Sequence, residues 1–360
     1  MSKRIMITGG AGFIGSRLAK ALCDKNEVLI FDNFHPQVHG LLDVEEATGL
    51  LGRCQIARGD ISVSGDVQAI VKAFNPDLIY HLAAETGTGQ SYDEPTRYNV
   101  VNVVGTCNLI EAVRAYGPAV KRIVLSSSRA VYGEGAAYDA LERLRVAPPR
   151  QVERMNNRNF GLMDELGGML KPAPTPESLA PSPASIYAST KLMQEYVCTQ
   201  CVAGTGVEVV ILRLQNVFGP GQSLRNPYTG VISIFCQKVS QGEVLEVFED
   251  GNIIRDFVYV DDVVEAFCLC AKIVSAPLSP VNIGTGKPVS IVAMTRAILE
   301  CYDRPVDSYE VTGHFRAGDV RYAVADIALA EKALNWRPKT DFISGLKQYV
   351  VWARERQNLS

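Results

Sequence analysis

RIMITGGAGFIG, residues 4–15, is a short apolar run that ends in a glycine turn. RIMIT (4–8) reads as a buried strand, and a helical pattern over Ser16–Asp24 follows the turn. Gly9, Gly12 and Gly15 are spaced G-x-x-G-x-x-G. Glycines at a strand-to-helix turn allow the tight bend, the close approach of a pyrophosphate, and close packing of helix on strand. The start of the helix offers free N–H groups and the positive end of its dipole to a phosphate. A glycine turn with no ligand gives the same pattern, so the rest of the chain has to decide.

Working outward, EVLIFD (27–32), CQIARGD (54–60), DLIYHLAA (77–84) and KRIVLSSS (121–128) read as further strands, and Asn102–Tyr116 as an amphipathic helix. Strands alternating with helices signal βαβ units and a parallel sheet. Strands buried on both faces read as near-continuous apolar runs, as these do. Between Tyr132 and Tyr187 the rhythm breaks. Residues 134–183 carry Arg, Asn, Gly and Pro with little periodicity, which is typical of a lid, a binding loop or a disordered insert. PAPTPESLAPSPAS (172–185) returns the chain in extended form to a helix, Ile186–Val202, and a strand, VEVVILRL (207–214). The expected organisation is a dinucleotide-binding domain over 1–185 with the 134–183 insert, completed by the helix and strand of 186–214. Residues 215–360 would mainly form a smaller α/β substrate-binding lobe, with crossings back to the first domain.

Composition narrows the function. The 360 residues are 47% apolar and 21% charged, with a net charge of −3, so neither nucleic acid nor an anionic membrane has an electrostatic claim on the chain. MSKRIMITGG is not a signal peptide, and no apolar run reaches the length of a membrane span, which sets the expectation of a soluble cytoplasmic protein. Nine scattered cysteines suit reduced thiols; Cys198 and Cys201 form a lone CxxC, Cys268 and Cys270 sit two apart, and no bound metal is expected.

Asp32 ends the second strand, where a carboxylate accepts hydrogen bonds from an adenosine ribose and repels a 2′-phosphate. Asn33 and Phe34 follow, with no arginine to welcome NADP, and Asp60 ends the third strand where it can meet the adenine. Each aspartate alone could be a turn former. Placed together after successive strands, they point to NAD.

YASTK (187–191) sets Tyr187 and Lys191 four apart, on one face of a helix. A tyrosine acts as a base only as phenolate, and its ordinary pKa of about 10 is too high for neutral pH. A nearby ammonium lowers it. LSSSRAVYG (125–133) ends another strand in a serine cluster. With the glycine loop, serine-ended strand and Tyr/Lys helix in this order, the chain resembles the extended short-chain dehydrogenase/reductases over nearly its whole length. Within them it is similar to the NAD-dependent nucleotide-sugar epimerases and dehydratases, of the UDP-galactose 4-epimerase-like kind, built on a Rossmann doubly wound parallel sheet.

The resemblance implies residue roles. Ser128, four before Tyr132, matches the catalytic hydroxyl; Tyr187 matches the base and Lys191 its partner, which also hydrogen-bonds the nicotinamide ribose. The cofactor would further be lined by Gly9, Gly12, Phe13, Ile14, Gly15, Asp32, Asn33, Asp60 and Ile61. Leu82, Ala83 and Ala84 of HLAA, Thr86, Asn102 of NVVGT and Ser126 would complete that lining. His81 reads as a strand residue. Asn216 in RLQNVFGPGQ would contact the substrate phosphates, with Gln215 replacing the aromatic residue common there. Arg255 in RDFVYVDD would clamp the diphosphate, and Arg316 in RAGD would lie near the phosphate and nucleoside. Tyr228 and Val231 of NPYTGV, with Phe248, would also touch the substrate. Arginine suits phosphate because its planar fork donates in pairs and stays charged.

In the sugar 4,6-dehydratases an Asp–Glu pair follows the catalytic hydroxyl; here Arg129 and Ala130 stand there. Without those carboxyl groups elimination has no acid or base, and what remains supports oxidation and re-reduction at one carbon. The expected activity is therefore C4 epimerisation of a dTDP- or UDP-linked hexose through a 4-keto sugar. The alternatives are an NAD(H)-dependent nucleotide-sugar reductase or dehydrogenase, a 4,6-dehydratase, and a catalytically dead NAD-binding regulator. ETGTGQS (85–91), FHPQVHG (34–40) and NPYTGV (226–231) resemble the dTDP-L-rhamnose 4-epimerase-like subgroup, which suggests a 6-deoxyhexose for surface polysaccharide. Family members often form homodimers through helices equivalent to Asn102–Tyr116 and Ile186–Val202.

Overall fold

The computed structural model describes residues 2–40, 49, 51–224, 230–316 and 318–357. The apolar runs become strands β1 (Arg4–Thr8), β2 (Glu27–Asp32), β3 (Gln55–Arg58), β4 (Leu78–His81), β5 (Arg122–Ser128) and β6 (Glu208–Leu214). A seventh, β7 (Val281–Ile283), corrects the sequence reading of NIGTG (282–286) as a turn of the smaller lobe. They form one sheet in the order β7-β6-β5-β4-β1-β2-β3. β1 pairs in parallel with β2 and β4, β2 with β3, and β4 with β5. This is the doubly wound α/β fold expected. The order reverses between β1 and β4, and in such sheets ligands bind beyond the carboxyl ends of the strands at that reversal. Thr8, Asp32, His81 and Ser128 all end strands.

The helices that matter for the site are α1 (Phe13–Leu22), α2 (Ser64–Phe74), α3 (Gly105–Tyr116) and α4 (Ile186–Cys201). α1 begins at Phe13, three residues earlier than its periodicity suggested, because Gly12 takes an extended conformation and caps it. The helix expected from Asn102 begins at Gly105; Asn102 itself lies in a wider π-helical turn, Asn99–Val104. Gly105 is required there, since a Cβ on it would fall 2.8 Å from the Ile61 side chain. Met6, Leu29, Phe31, Val67, Ile79, Leu109, Ile123 and Cys198 belong to one buried core. Full burial of each large apolar side chain contributes ~1.5–3 kcal/mol.

The chain divides into two compact units. Met1–Ser128, Ile186–Arg213 and Val263–Val281 form the first; Arg129–Ser185, Leu214–Asp262 and Asn282–Ser360 form the second. Residues 129–185, read from sequence mainly as part of the first domain, thus group with the second unit, and Val263–Val281 with the first. The stretch without periodicity holds a small antiparallel sheet in which Ala136–Tyr138 pairs with Leu144–Val146 and Lys171–Pro172. Ala137, Ala147, Leu162 and Leu170 form its core. The second unit's main core gathers Phe218, Ile232, Leu245, Phe257, Met294, Leu346 and Tyr349.

Among the described residues no helix is long and apolar enough to cross a membrane. Among them, too, no group of three or more His, Cys, Asp or Glu side chains is placed to hold a metal ion. All nine cysteines are free thiols.

Candidate functional site

The glycine turn closes directly on the end of β4. Gly9 has a φ of +66°, and a Cβ on it would sit 2.7 Å from the Ala83 nitrogen. A Cβ on Gly15 would sit 2.5 Å from the Gly9 carbonyl oxygen. On Gly12 it would meet only that same oxygen, at 3.3 Å, so this side of the turn is open to a ligand. Phe13 and Ile14 open α1, where backbone N–H groups have no intrahelical partner. Asp32 is buried; one carboxylate oxygen accepts the Ala11 N–H at 3.0 Å and the other the Phe34 N–H at 2.9 Å. A carboxylate offers about four acceptor positions, which leaves some for ribose hydroxyls. Asp60 accepts from Asn33 Nδ2 at 3.0 Å and from the Ser62 N–H at 2.8 Å. Burial raises the Asp60 carboxyl, but those hydrogen bonds outweigh it and hold it below its ordinary value. His39 Nε2 also lies 3.5 Å from Asp32 Oδ1, the oxygen that accepts from Phe34. An open cradle, a helix start and a carboxylate at the end of β2 with no arginine directly after it are the features that suit a dinucleotide without a 2′-phosphate.

Leu82, Ala83 and Ala84 are half-buried along the exit from β4, tied by Leu82 N–H to the Thr8 carbonyl at 3.0 Å. Asn102 is fully buried. Its Oδ1 accepts the Glu85 N–H at 2.7 Å, and its two amide hydrogens go to the Glu85 carbonyl (3.1 Å) and Thr190 Oγ1 (2.9 Å). It therefore braces the β4 exit loop against α4. Thr86 is exposed, and its carbonyl accepts the Tyr98 hydroxyl at 2.6 Å.

At the end of β5 the serines alternate. Ser126 and Ser128 are half-buried on one face, while Ser127 is buried on the other. Ser127 donates to Glu195 Oε1 at 2.5 Å, and Arg213 of β6 pairs with both Glu195 oxygens, at 2.9 and 2.6 Å. This buried set fixes α4 against β5 and β6. Tyr187, half-buried, meets the Tyr98 ring edge-on at 6.4 Å between centroids. Lys191 is buried, and its Nζ donates to Gln194 Oε1 at 2.6 Å. Burial pushes its ammonium down to about 8, against the opposing pull of Glu195. It is still mostly charged at neutral pH, as a partner for a phenolate must be. His81 is buried between Thr8 Oγ1 (2.7 Å from Nδ1) and Thr106 Oγ1 (2.9 Å from Nε2). Burial first, then the Lys191 charge, pull it down to about 3. His81 is a neutral structural residue.

Of the residues implied for substrate, Ser128 belongs to the first unit, Tyr228 is outside the described residues, and Asn216, Val231, Phe248, Arg255 and Arg316 belong to the second unit. Half-buried Asn216 opens a strand whose first N–H donates to the Asp256 carbonyl at 3.0 Å, and Val231 opens the helix Val231–Ser240. The structure brings Phe248 and Arg316 together: the guanidinium lies 5.1 Å from the ring centroid, and His314 meets the same ring edge-on. Arg255 Nη1 donates to the carbonyls of Ile254 (2.9 Å) and Val320 (2.8 Å). Burial holds its guanidinium below its ordinary value, against the opposing pull of Asp319, Glu134 and Glu249.

Sequence reading missed the ions around it. Buried Arg150 pairs with Glu134 at 2.9 Å and Glu249 at 2.8 Å, and Arg321 pairs with Glu249 at 2.8 Å and Asp250 at 2.6 Å. Arg150 also donates to the Asp319 carbonyl at 2.7 Å. This network joins the 134–183 stretch to the segments on both sides of Arg255. Its only trace in the sequence is the charge of residues in stretches without periodicity.

The family model for GDP-mannose 4,6 dehydratase matches residues 6–150, and that for the NAD dependent epimerase/dehydratase family matches residues 164–284. The chain is 38% identical to the dTDP-L-rhamnose 4-epimerase of Burkholderia thailandensis, over 97% of this chain and 94% of that one. The crystal structure of UDP-glucose 4-epimerase from Thermotoga maritima with UDP-glucose has a TM-score of 0.80 at 29% identity, covering 98% and 99% of the two chains. UDP-glucose 4-epimerase of Thermus thermophilus, solved with NAD, has a TM-score of 0.74 at 27% identity, covering 97% and 98%. The chain belongs to the NAD dependent epimerase/dehydratase family, and its cofactor is NAD.

Proposed function

We infer that the chain is a nucleotide-sugar 4-epimerase, and we propose as its substrate a dTDP- or UDP-linked hexose, foremost a dTDP-linked 6-deoxyhexose such as dTDP-L-rhamnose. One observation carries the reaction type. Ser128, Tyr187 and Lys191 stand on β5 and α4 of the dinucleotide-binding unit, while Arg129 and Ala130 follow Ser128 where an eliminating enzyme needs carboxyl groups. Although the dehydratase family model covers this stretch, Arg129 is turned to the backbone, its Nη2 donating to the Gly133 carbonyl at 2.5 Å.

Bound NAD, held by the glycine turn, Asp32 and Asp60, supplies the two-electron oxidation and re-reduction that interconvert the C4 alcohol and ketone. Tyr187 as phenolate takes the proton of the 4-hydroxyl and returns it after the sugar has turned. Lys191 favours that phenolate by its charge. Ser128 donates to the C4 oxygen, stabilising the charge that develops there. Asn216 and Arg255 hold the diphosphate, so that binding energy remote from C4 retains the ketone while the ring presents its other face. Phe248 and Arg316 serve the nucleoside end. A product destined for surface polysaccharide follows from the 6-deoxyhexose reading.

We propose that the chain acts as a homodimer. α3 packs against α4, and Val100, Val104, Met193 and Tyr196 along these elements are exposed, an apolar stripe suited to a second copy.

Proton NMR of the purified protein without added cofactor tests the function, using dTDP-L-rhamnose, UDP-glucose, UDP-GlcNAc and UDP-glucuronate in turn. A product with inverted H4 coupling and no accumulating ketone is expected with one of them. A 4-keto-6-deoxy product, or turnover only with added NADH and a keto sugar, would replace the epimerase by a dehydratase or a reductase.

A further inference from the structure

We propose that Gln194 is a positioning residue for the reaction: its side-chain carbonyl holds the Lys191 ammonium, and a buried hydrogen-bond chain through Thr106 fixes which end of the Gln194 amide faces the lysine. The inference rests on Lys191 being the partner of Tyr187.

Gln194 lies one turn after Lys191 on α4 and is fully buried. Its Oε1 accepts from Lys191 Nζ at 2.6 Å, and its Nε2 donates to Thr106 Oγ1 at 2.8 Å. The oxygen and nitrogen of an amide are exchangeable by a flip of the side chain, so orientation must be argued from the partners. Thr106 settles it. Its hydroxyl gives its only proton to the Asn102 carbonyl, at 2.6 Å, so its oxygen can only accept from Gln194. A flipped amide would set oxygen against oxygen at Thr106 and N–H against ammonium at Lys191. Both ends select the same orientation.

The chain continues beyond Thr106. With the Thr106 proton committed, His81 donates from Nε2 to Thr106 and accepts at Nδ1 from the Thr8 hydroxyl. Thr8 Oγ1 in turn accepts the Ala83 N–H at 3.3 Å. In this tautomer the 3.4 Å approach of Gln194 Nε2 to His81 Nε2 brings two donors together and is not a hydrogen bond. The lysine is thus held through Gln194 to the same β4 exit that closes on the glycine turn.

An ammonium has three donors. One is fixed on Gln194, and two remain for groups at the reaction site. The charged and titratable groups around Lys191 are few. Tyr187, Glu195 and Cys198 share its helix; Glu195 is already paired with Arg213 of β6. β4 brings His81, held neutral, Tyr98 faces Tyr187, and α3 brings Cys107 towards Cys198. A neutral carbonyl at 2.6 Å is therefore the nearest group favouring the charged lysine without binding it in an ion pair.

The test uses the NAD-containing enzyme and the sugar that NMR identifies. The rate is followed from pH 6 to 10 for Gln194→Met, which has no acceptor of comparable strength, and for Gln194→Glu, which adds charge to the acceptor. Melting temperature and bound NAD are measured alongside. Gln194→Met is expected to lower kcat about tenfold and to move the alkaline limb down by about one pH unit, with KM little changed. Gln194→Glu is expected to move that limb up by about one unit. Unchanged profiles in both, with only the melting temperature altered, would reduce Gln194 to a packing residue and overturn the proposal. If Gln194→Met does not fold, Gln194→Glu decides alone, an upward shift supporting the proposal and an unchanged profile overturning it. Lys191→Met is measured in parallel: if it keeps full turnover, the reading of Lys191 itself is wrong. If it loses turnover while the Gln194 profiles do not move, only the positioning role fails.

Discussion

Gln37 and Gln90 exchange two hydrogen bonds, from Gln37 Nε2 to Gln90 Oε1 at 2.8 Å and from Gln90 Nε2 to Gln37 Oε1 at 3.1 Å. One follows β2 and the other follows β4, the two neighbours of β1. Neighbouring strands lie about 4.8 Å apart, so this pair spans the carboxyl end of β1, where the glycine turn begins. Arg97 joins the pair, bound to Glu85 Oε1 at 2.9 and 2.8 Å and to Gln37 Oε1 at 3.3 Å.

The pair is expected to slow the release of NAD. Each amide hydrogen bond contributes ~0.5–1.5 kcal/mol, so Gln90→Ala should speed NAD loss about tenfold. Prolonged gel filtration followed by measurement of protein-bound nicotinamide checks this. Equal retention in wild type and variant would refute it.

Tyr187→Phe should lower kcat about 10²–10⁴-fold, the range that general base catalysis supplies, with bound NAD and KM little changed. Lys191→Met should act in the same direction and also change stability. The folded value of Lys191 lies near 8, below its ordinary 10.5, so the folded state binds fewer protons than the unfolded between those values. The charged ammonium therefore opposes folding at neutral pH, and this cost fades as pH rises from about 8 to 10.5. Thermal unfolding should show Lys191→Met at least as stable as wild type at pH 7, with a difference that shrinks across that window.

Arg150 and Arg255 should separate in their effects. Arg150→Met leaves Glu134 and Glu249 buried without their shared cation, and breaking such a pair costs about 3–5 kcal/mol. A fall of several degrees in Tm is expected. Arg255→Lys keeps a charge but loses the planar fork; KM for the nucleotide sugar should rise about tenfold while Tm stays near wild type.

Glutamate at Val104, exposed in the π-helical turn before α3, and at Tyr196, exposed on α4, should yield a monomer in light scattering if these elements meet in a homodimer. An unchanged assembly state would place the interface elsewhere.

Most of the sheet was legible because its strands are apolar runs, several closed by a residue of special chemistry such as Asp32 or Ser128; β7, three residues long and leading into NIGTG, reads from sequence as a turn and was not. The three residues proposed for catalysis stand out in the sequence because Tyr187 and Lys191 share a helical face and Ser128 ends a strand. Asn102 was placed correctly along the chain, yet no sequence pattern shows that its amide is consumed by Glu85 and Thr190, since both partners arrive through tertiary packing. The 134–183 stretch was opaque because its strands are two or three residues long, too short to show an alternating period. Arg150 was invisible for a related reason. A buried arginine differs from a surface one only by its partners, here Glu134 and Glu249, which lie 16 and 99 residues away in the chain. Gln194 sits beside Lys191 in the sequence, but its role depends on Thr106, whose proton is committed to Asn102.

Deuterium placed at C4 of the sugar identified by NMR follows the hydride through the reaction. Oxidation and re-reduction at one carbon, with the cofactor held in place, predicts an epimerised product that keeps its deuterium at C4, without added NAD and without exchange into water. Loss of the label to solvent, or its appearance at C6, would contradict a 4-epimerase built on Ser128, Tyr187 and Lys191.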